Sequence, residues 1–417
     1  MVSEDAIRRP VRYPLLDVMR GLAALWVFTY HFPWKSAYAE HLPALGRFFQ
    51  HGHLGVPVFF VVSGFCLMAA SRATLFKGRG VGDFLHRRMK RIYPPLWCSI
   101  LVIVSVPYLV ELISSVKTGS YHDPQPLFLN YSWREWIGVF TLTQAFNPAY
   151  ETIGERFTPI TGVYWTLAIE VQFYVVMAVG LAVGRWSKYV LGTVTVLGFG
   201  ALLVPALFET GLFLPYWPMF ALGIGLYLAI ERGLTPTACF GKRAGPICLA
   251  LIAASTTATT VGMFLGLLVV PEGPVSHAAF CTFVAVLLWL GHPFEDRLSP
   301  ERAPTGRVAR FAFRMLFGLG TISYSVYLLH GKLVSLTAQI VRQVVTPDSL
   351  AFMPITILGT ILLCAVFYRY CERPFVSRSA NRKERPKSAP AVSVCELPST
   401  TPVHARLENE VSICHPR

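Results

Sequence analysis

The chain has 417 residues, of which 53% are hydrophobic and only 14% are charged, and its formal net charge is +14. Soluble globular domains contain about 25% charged residues, so this composition excludes an ordinary soluble protein. Apolar runs of about 18 or more residues recur along the chain, which predicts an all-α, polytopic membrane protein. The excess of positive charge lies in short loops between these runs. It therefore indicates membrane topology, not a nucleic-acid partner.

The hydropathy pattern predicts about ten membrane-spanning helices in a lipid bilayer. Lysine and arginine concentrate in one set of loops, so both chain termini are predicted to be cytoplasmic. The long loop 117–162 contains a short apolar segment, 136–146, which is predicted to be re-entrant or interfacial. The predicted spans are about 15–34, 53–70, 92–116, 163–184, 189–208, 214–230, 246–270, 275–291, 313–337 and 351–371.

Three regions follow from this pattern: a cytoplasmic N-terminal segment (1–13), a membrane domain (14–376) and a basic C-terminal tail (377–417). The tail is rich in serine, proline, lysine and arginine and poor in aromatic residues, so it is predicted to be disordered. The nine cysteines are scattered, with no CxxC spacing. They predict neither a disulfide framework nor a metal site. The polar N-terminus lacks a small-residue cleavage site, and no removable signal peptide is expected.

The first predicted span carries an arginine near one end and a histidine near the other, in the stretch RGLAALWVFTYH (20–31). A helix turns about 100° and rises about 1.5 Å per residue, so Arg20 and His31 project from nearly the same face, about 16 Å apart. Taken singly, Arg20 is equally explained by a side chain that snorkels to the lipid phosphates, and His31 by an interfacial histidine. Their shared face favours a joint role inside the bundle.

Two further ionisable residues lie within predicted spans. Glu170 lies about 10 Å deep in the fourth span, where a carboxylate needs a partner or a proton. His330 follows polar neighbours in the ninth span, and a structural hydrogen bond between helices is the alternative for both residues. By depth, His31, Glu170 and His330 can reach one half of the same bundle interior. A histidine beside a carboxylate suits general base catalysis, although the sequence leaves open which groups face each other.

A cluster of cations precedes the third predicted span, in the stretch HRRMKRIYPP (86–95). A positive-inside anchor is the simpler interpretation of this cluster. The alternative is a binding site for a phosphorylated cytoplasmic ligand, because guanidinium groups match phosphate oxygens in geometry. Arg88 and Arg91 are the candidate ligands in that case.

Six stretches, taken together, resemble the integral-membrane acyltransferase family 3, whose members O-acylate sugars and other hydroxyl-bearing acceptors. The family's arginine–histidine motif falls on Arg20 and His31, and its RxxR motif falls on Arg88 and Arg91. Its tryptophan–threonine–glutamate motif ends at Glu170. The matching stretches, from about residue 14 to 375, are LLDVMRGLAALWVFTYHF, GVPVFFVVSGFCL, FLHRRMKRIYPPLW, YWTLAIEVQFYVV, ISYSVYLLHG and YRYCERPF.

This resemblance also assigns His330, at the end of the family's SYSxYLxH motif. The chain departs from the family at Pro57, where an acid is common, and at Val171, where a second glutamate is common. A C-terminal esterase-like domain, which some members carry, is not expected.

The resemblance implies a multi-pass enzyme, in the inner membrane of a bacterium, that takes an acyl group from cytoplasmic acyl-CoA. The group, with acetyl as the default, would pass to a carbohydrate or related hydroxyl acceptor at the opposite face, without a metal. In this hypothesis Arg88 and Arg91 hold the phosphates of coenzyme A, and Arg20 steadies the donor. His31, assisted by Glu170 or His330, would deprotonate the acceptor hydroxyl. The oligomeric state is not specified.

Two alternatives of other classes remain open from the sequence. A secondary transporter also places polar side chains inside its spans, although the chain shows no internal repeat. A catalytically inactive scaffold or export partner would make the ionisable residues dispensable.

Overall fold

The computed structural model describes residues 13–32, 40–298 and 305–376, and in these ranges it contains helices and loops but no strand. The predicted cytoplasmic segment, apart from Tyr13, lies outside the described residues. The predicted disordered tail (377–417) also lies outside them.

Thirteen α-helices make up the described part of the chain, joined by short 3₁₀ turns and followed by a π-helix at Tyr368–Glu372. They are α1 (Pro14–Tyr30), α2 (Pro43–Gln50), α3 (Gly55–Phe76), α4 (Val81–Thr118), α5 (Trp133–Thr141), α6 (Trp165–Ala182), α7 (Ser187–Ala201), α8 (Trp217–Glu231), α9 (Pro236–Phe240), α10 (Ala244–Leu265), α11 (Pro274–Gly291), α12 (Arg307–Val341) and α13 (Phe352–Phe367).

Each of the ten predicted spans falls on a helix, which confirms the all-helical, polytopic membrane class. Among the described residues, seven helical segments are long and apolar enough to cross a bilayer. The helices of the first, fifth and sixth predicted spans are shorter, with 17 residues in α1 and 15 each in α7 and α8. The total of ten spans and the side of the termini therefore remain predictions.

Helix α4 begins eleven residues before the predicted third span, which was placed at 92–116. The chain enters it through Gly78, whose φ is +62°, and through Gly80 in an extended conformation. Hydropathy detects only the apolar part of a helix, whereas these 38 residues extend about 57 Å. Arg88 and Arg91 consequently lie inside the helix and, three residues apart, on one face.

Helix α12 lies at the centre of the bundle, packed against α1, α4 and α13. The approach of α1 to α12 depends on a pair of glycines: a Cβ at Gly320 would lie 2.2 Å from the carbonyl oxygen of Asp17, and a Cβ at Gly21 would lie 2.7 Å from the Gly320 nitrogen. Because neither glycine has a side chain, the two backbones meet directly. This contact brings Arg20, next to Gly21, against the polar segment of α12.

The apolar segment at 136–146 forms the end of α5 and a following 3₁₀ turn. The side chains of Ser132 and Glu135 form a reciprocal capping box at the start of α5. With nine residues, α5 is about 13 Å long, which is too short to cross a bilayer.

Candidate active site

A small cavity of about 70 Å³ lies between α1, α3, α4, α6 and α12. Its polar lining is unusual for the interior of a membrane bundle, because it combines three guanidinium groups with a carboxylate. We call it the arginine cavity. Its polar side chains are those of Arg20, Ser63, Cys66, Arg88, Arg91, Thr166, Glu170, Tyr174, Tyr324 and Tyr327.

The three arginines are half-buried, and none forms an ion pair within 4.0 Å of a carboxylate in the described ranges. The Arg88 guanidinium lies 5.9 Å from the centres of both the Phe84 and the Tyr174 rings. Its Nη2 donates to the carbonyl oxygen of Cys66 at 3.5 Å. Half-buried cations without an ion-pair partner favour an anionic ligand, and the planar guanidinium suits phosphate or carboxylate oxygens.

One face of α6 forms the opposite wall of the cavity, because Thr166, Glu170 and Tyr174 follow each other at intervals of four residues. Glu170 Oε1 accepts hydrogen bonds from Ser63 Oγ at 2.9 Å and from the Tyr174 hydroxyl at 2.7 Å. Two neutral hydroxyls therefore hold this carboxylate facing the arginines.

Helix α12 connects the cavity to the far end of α1. Tyr324 and Tyr327 line the cavity. The Tyr324 hydroxyl donates to the carbonyl oxygen of Ile92 at 3.2 Å, and the Tyr327 hydroxyl lies 2.7 Å from Thr166 Oγ1. His330 is one helical turn beyond Tyr327, with 6.1 Å between the centres of their rings.

His330 is fully buried, and its two ring nitrogens differ. Nδ1 lies 3.0 Å from the carbonyl oxygens of both Val326 and Tyr327. Because a carbonyl can only accept, Nδ1 must carry the hydrogen in the neutral ring. Nε2 is then a lone-pair acceptor, and it has no hydrogen-bond partner among the described residues. The His31 ring, exposed at the end of α1, lies 5.5 Å from the His330 ring.

The six predicted site residues therefore form two groups. Arg20, Arg88, Arg91 and Glu170 share the arginine cavity, whereas His31 and His330 lie together at the far end of α1. The sequence left open whether Glu170 or His330 neighbours His31. The structure brings His330 to it and groups Glu170 with the cations.

Sequence reasoning missed Glu372, which the π-helix carries in the stretch YRYCERPF. Its carboxylate is 3% exposed and accepts a short hydrogen bond from Ser325 Oγ. Arg91 and Arg20 are the cations that act on it electrostatically. The available signals were an acid at the end of an apolar span and the known functional enrichment of π-helices.

These features define an integral membrane bundle with a cationic cavity and an adjacent pair of imidazoles. The chain belongs to the acyltransferase 3 family, whose model, described as an acyltransferase domain, matches residues 13–369.

Among its relatives is the peptidoglycan O-acetyltransferase OatA of Listeria monocytogenes, 25% identical over 88% of this chain and 57% of that protein. The putative membrane-bound transacylase BcsY of Komagataeibacter xylinus is 26% identical over 76% of this chain and 71% of that protein. The acyltransferase MdmB of Streptomyces mycarofaciens is 30% identical over 40% of this chain and 38% of that protein. The chain thus spans little more than half of the Listeria protein. No solved structure matches it.

Proposed function

We propose that this protein is a membrane O-acyltransferase that moves an acetyl group from acetyl-CoA to a hydroxyl of a carbohydrate acceptor. One observation carries the proposal: three arginines face a cavity, and a buried imidazole, His330, lies one helical turn beyond it, while neither the arginines have an ion-pair partner nor the His330 Nε2 a hydrogen-bond partner among the described residues. The family and the names of the O-acetyltransferase relatives support the reaction type.

The cations fit the donor's chemistry. Coenzyme A is a polyanion at one end and a thiol on a narrow arm at the other. Arg88 and Arg91 would bind its phosphates, since their guanidinium groups lie on one helix face and have no ion-pair partner among the described residues. Arg20, across the cavity on α1, would steady the donor. The negative charge of Glu170 offsets part of the positive charge of these three arginines inside the bundle.

The reaction needs a base, because a sugar hydroxyl is a weak nucleophile near neutral pH. His31 would accept the hydroxyl proton as the oxygen attacks the thioester carbonyl carbon. The carbon–sulfur bond then breaks, and the imidazolium returns the proton to the departing thiolate, so that coenzyme A leaves as the thiol. His330, with Nδ1 donating to backbone carbonyls, can accept a hydrogen bond at Nε2 and so assist His31 by orienting it.

The decisive experiment uses the purified full chain, reconstituted in vesicles, with radiolabelled acetyl-CoA and a panel of oligosaccharides. We expect label to appear in the oligosaccharide in step with release of free thiol. Empty vesicles provide the background. Uptake of an oligosaccharide without covalent label would contradict the proposal and favour a transporter. With the donor confined to one side of the vesicle, the same assay reports the face from which the protein takes it.

A further inference from the structure

A second group of polar side chains lies beside His31, outside the arginine cavity. The Tyr30 ring centre is 4.9 Å from that of His31 and 5.8 Å from that of His53. His53 Nδ1 in turn lies 3.3 Å from His277 Nε2, and the Tyr30 hydroxyl donates to Glu272 Oε1 at 2.8 Å. We call Tyr30, His53, Glu272 and His277 the rim cluster. It brings together residues from α1, the 3₁₀ turn before α3, the loop before α11 and the start of α11.

A glycine positions His53 in the rim cluster. A Cβ at Gly52 would lie 2.3 Å from the carbonyl oxygen of Trp26 and 2.7 Å from Cβ of Tyr30. Only a residue without a side chain lets this turn pack so closely on the last part of α1. The HGH stretch (51–53) is therefore explained by packing. In the described ranges no group of three or more His, Cys, Asp or Glu side chains is arranged to hold a metal ion.

His51, the other histidine of this stretch, holds the loop that carries Glu272 in place. His51 Nδ1 lies 2.8 Å from the carbonyl oxygen of Arg47, and its Nε2 accepts from the Val270 N–H at 3.3 Å. One nitrogen must therefore donate and the other accept, which uses both and leaves His51 in a structural role. Glu272, two residues along the loop, is exposed to solvent.

The chemistry of the rim cluster matches a polyhydroxylated ligand. Glu272 accepts from Tyr30 through Oε1, while Oε2 makes no hydrogen bond with the residues that the structure describes. The two imidazoles and the phenol add donors and acceptors around an aromatic surface. The cluster's carboxylate would accept hydrogen bonds from sugar hydroxyls and repel an anionic sugar at the same place.

We propose that the rim cluster is the acceptor subsite and that it binds a neutral carbohydrate, placing one hydroxyl at His31. The proposal rests on the proposed function, because it presumes that His31 is the base. A sugar that reaches the exposed ring of His31 from solvent must pass the groups that border it, and among the described residues the rim cluster borders it through Tyr30. Glu272 and Tyr30 would form the main hydrogen bonds to the acceptor, with His53 and His277 completing the surface.

The test measures steady-state transfer from labelled acetyl-CoA by the full chain in nanodiscs, with chitotetraose as a neutral probe and tetragalacturonic acid as an anionic one. We expect saturable transfer to chitotetraose and none to tetragalacturonic acid. Glu272→Ala should raise the acceptor KM about tenfold, as for loss of a charged hydrogen bond, and Tyr30→Phe should raise it about threefold. The donor KM should stay unchanged in both variants.

Matched controls are Glu151→Gln and Tyr121→Phe, which alter exposed side chains far along the chain from the cluster. Both should keep the wild-type acceptor KM. An unchanged acceptor KM in Glu272→Ala, or transfer to tetragalacturonic acid but not to chitotetraose, would overturn the subsite. The subsite would also be overturned if the protein showed neither saturable transfer to a neutral oligosaccharide nor binding of one. His31→Ala separates the two proposals, because full turnover in that variant contradicts the base itself, whereas lost turnover with normal rim variants contradicts only the subsite.

Discussion

The two ends of α1 have different electrostatic surroundings. Around Arg20, three half-buried arginines face a cavity that also contains the Glu170 carboxylate, which accepts hydrogen bonds from Ser63 and Tyr174. Around His31, the neighbouring rings are the His330 imidazole and the Tyr30 phenol, which carry no fixed charge. The first arrangement suits a ligand of fixed negative charge, and the second suits a proton that moves. In the proposed function, binding of the charged donor and proton transfer would thus be separated by about three helical turns.

The largest effect should come from the His31 end. His31→Ala is expected to lower kcat by about 10²- to 10⁴-fold, because it removes the general base while the donor cavity stays intact. The donor KM should change little. His86→Ala, which alters an exposed histidine on α4, is the control. A folded His31→Ala protein with a normal kcat would show that the base lies elsewhere.

The second effect concerns the arginine end. Arg88→Ala and Arg91→Ala should each raise the donor KM at least tenfold, because each removes a guanidinium from the phosphate site. The adjacent Arg87 offers a matched control, since it pairs with Asp83 at 3.1 Å and with the Thr74 hydroxyl at 3.0 Å. Arg87→Ala should keep the donor KM. Equal effects of all three substitutions would indicate that the RxxR motif serves only to set the membrane topology.

A smaller effect is expected at Glu372, which we regard as a positioning residue for Arg20 and Arg91. Glu372→Gln keeps the volume and removes the charge, and it should raise the donor KM about threefold to tenfold with kcat little changed. Glu372→Asp should restore part of the loss. Ser325→Ala removes the hydrogen bond that holds the Glu372 carboxylate, and it should change the donor KM in the same direction. Size-exclusion chromatography checks folding, and a folded Glu372→Gln protein with a normal donor KM would remove this role.

The smallest effect should be on stability, at the start of α1. Glu295 accepts from the Leu15 N–H at 3.2 Å, and burial, with Asp17 and Asp296 adding to it, raises the pKa of this carboxyl to about 7. A raised pKa means that folding favours the protonated form, so this stabilisation is present below the ordinary pKa and is lost as pH rises through about 7.

Glu295→Gln keeps an acceptor for Leu15 but cannot ionise. The apparent Tm in detergent should therefore be about 2 °C above wild type at pH 8 and equal to it at about pH 4, below the ordinary pKa of a glutamate. A difference of the same size at both pH values would rule out ionisation as the cause.

The helical membrane class and the approximate positions of the long apolar helices followed from hydropathy, but the helix ends did not. The prediction placed the third span at 92–116, whereas α4 covers Val81–Thr118, because a helix continues into polar sequence where hydrogen bonding and packing favour it. The first predicted span differs in the opposite direction: it extends to residue 34, whereas α1 ends at Tyr30 and residues 33–34 lie outside the described residues.

The sequence by itself determined which residues share a helix face: Arg20 with His31, Arg88 with Arg91, and Thr166 with Glu170. Helical periodicity determines which side chains of one helix project in the same direction. The energetic cost of a charge in lipid identifies the ionisable ones among them as candidate site residues. Only the tertiary structure decided which faces meet. It placed Glu170 among arginines, His330 against His31, Glu372 near Arg91, and Tyr30 on Glu272, 242 residues away. These pairings depend on close helix contacts such as Gly21 on Gly320, which no periodicity within a single helix encodes.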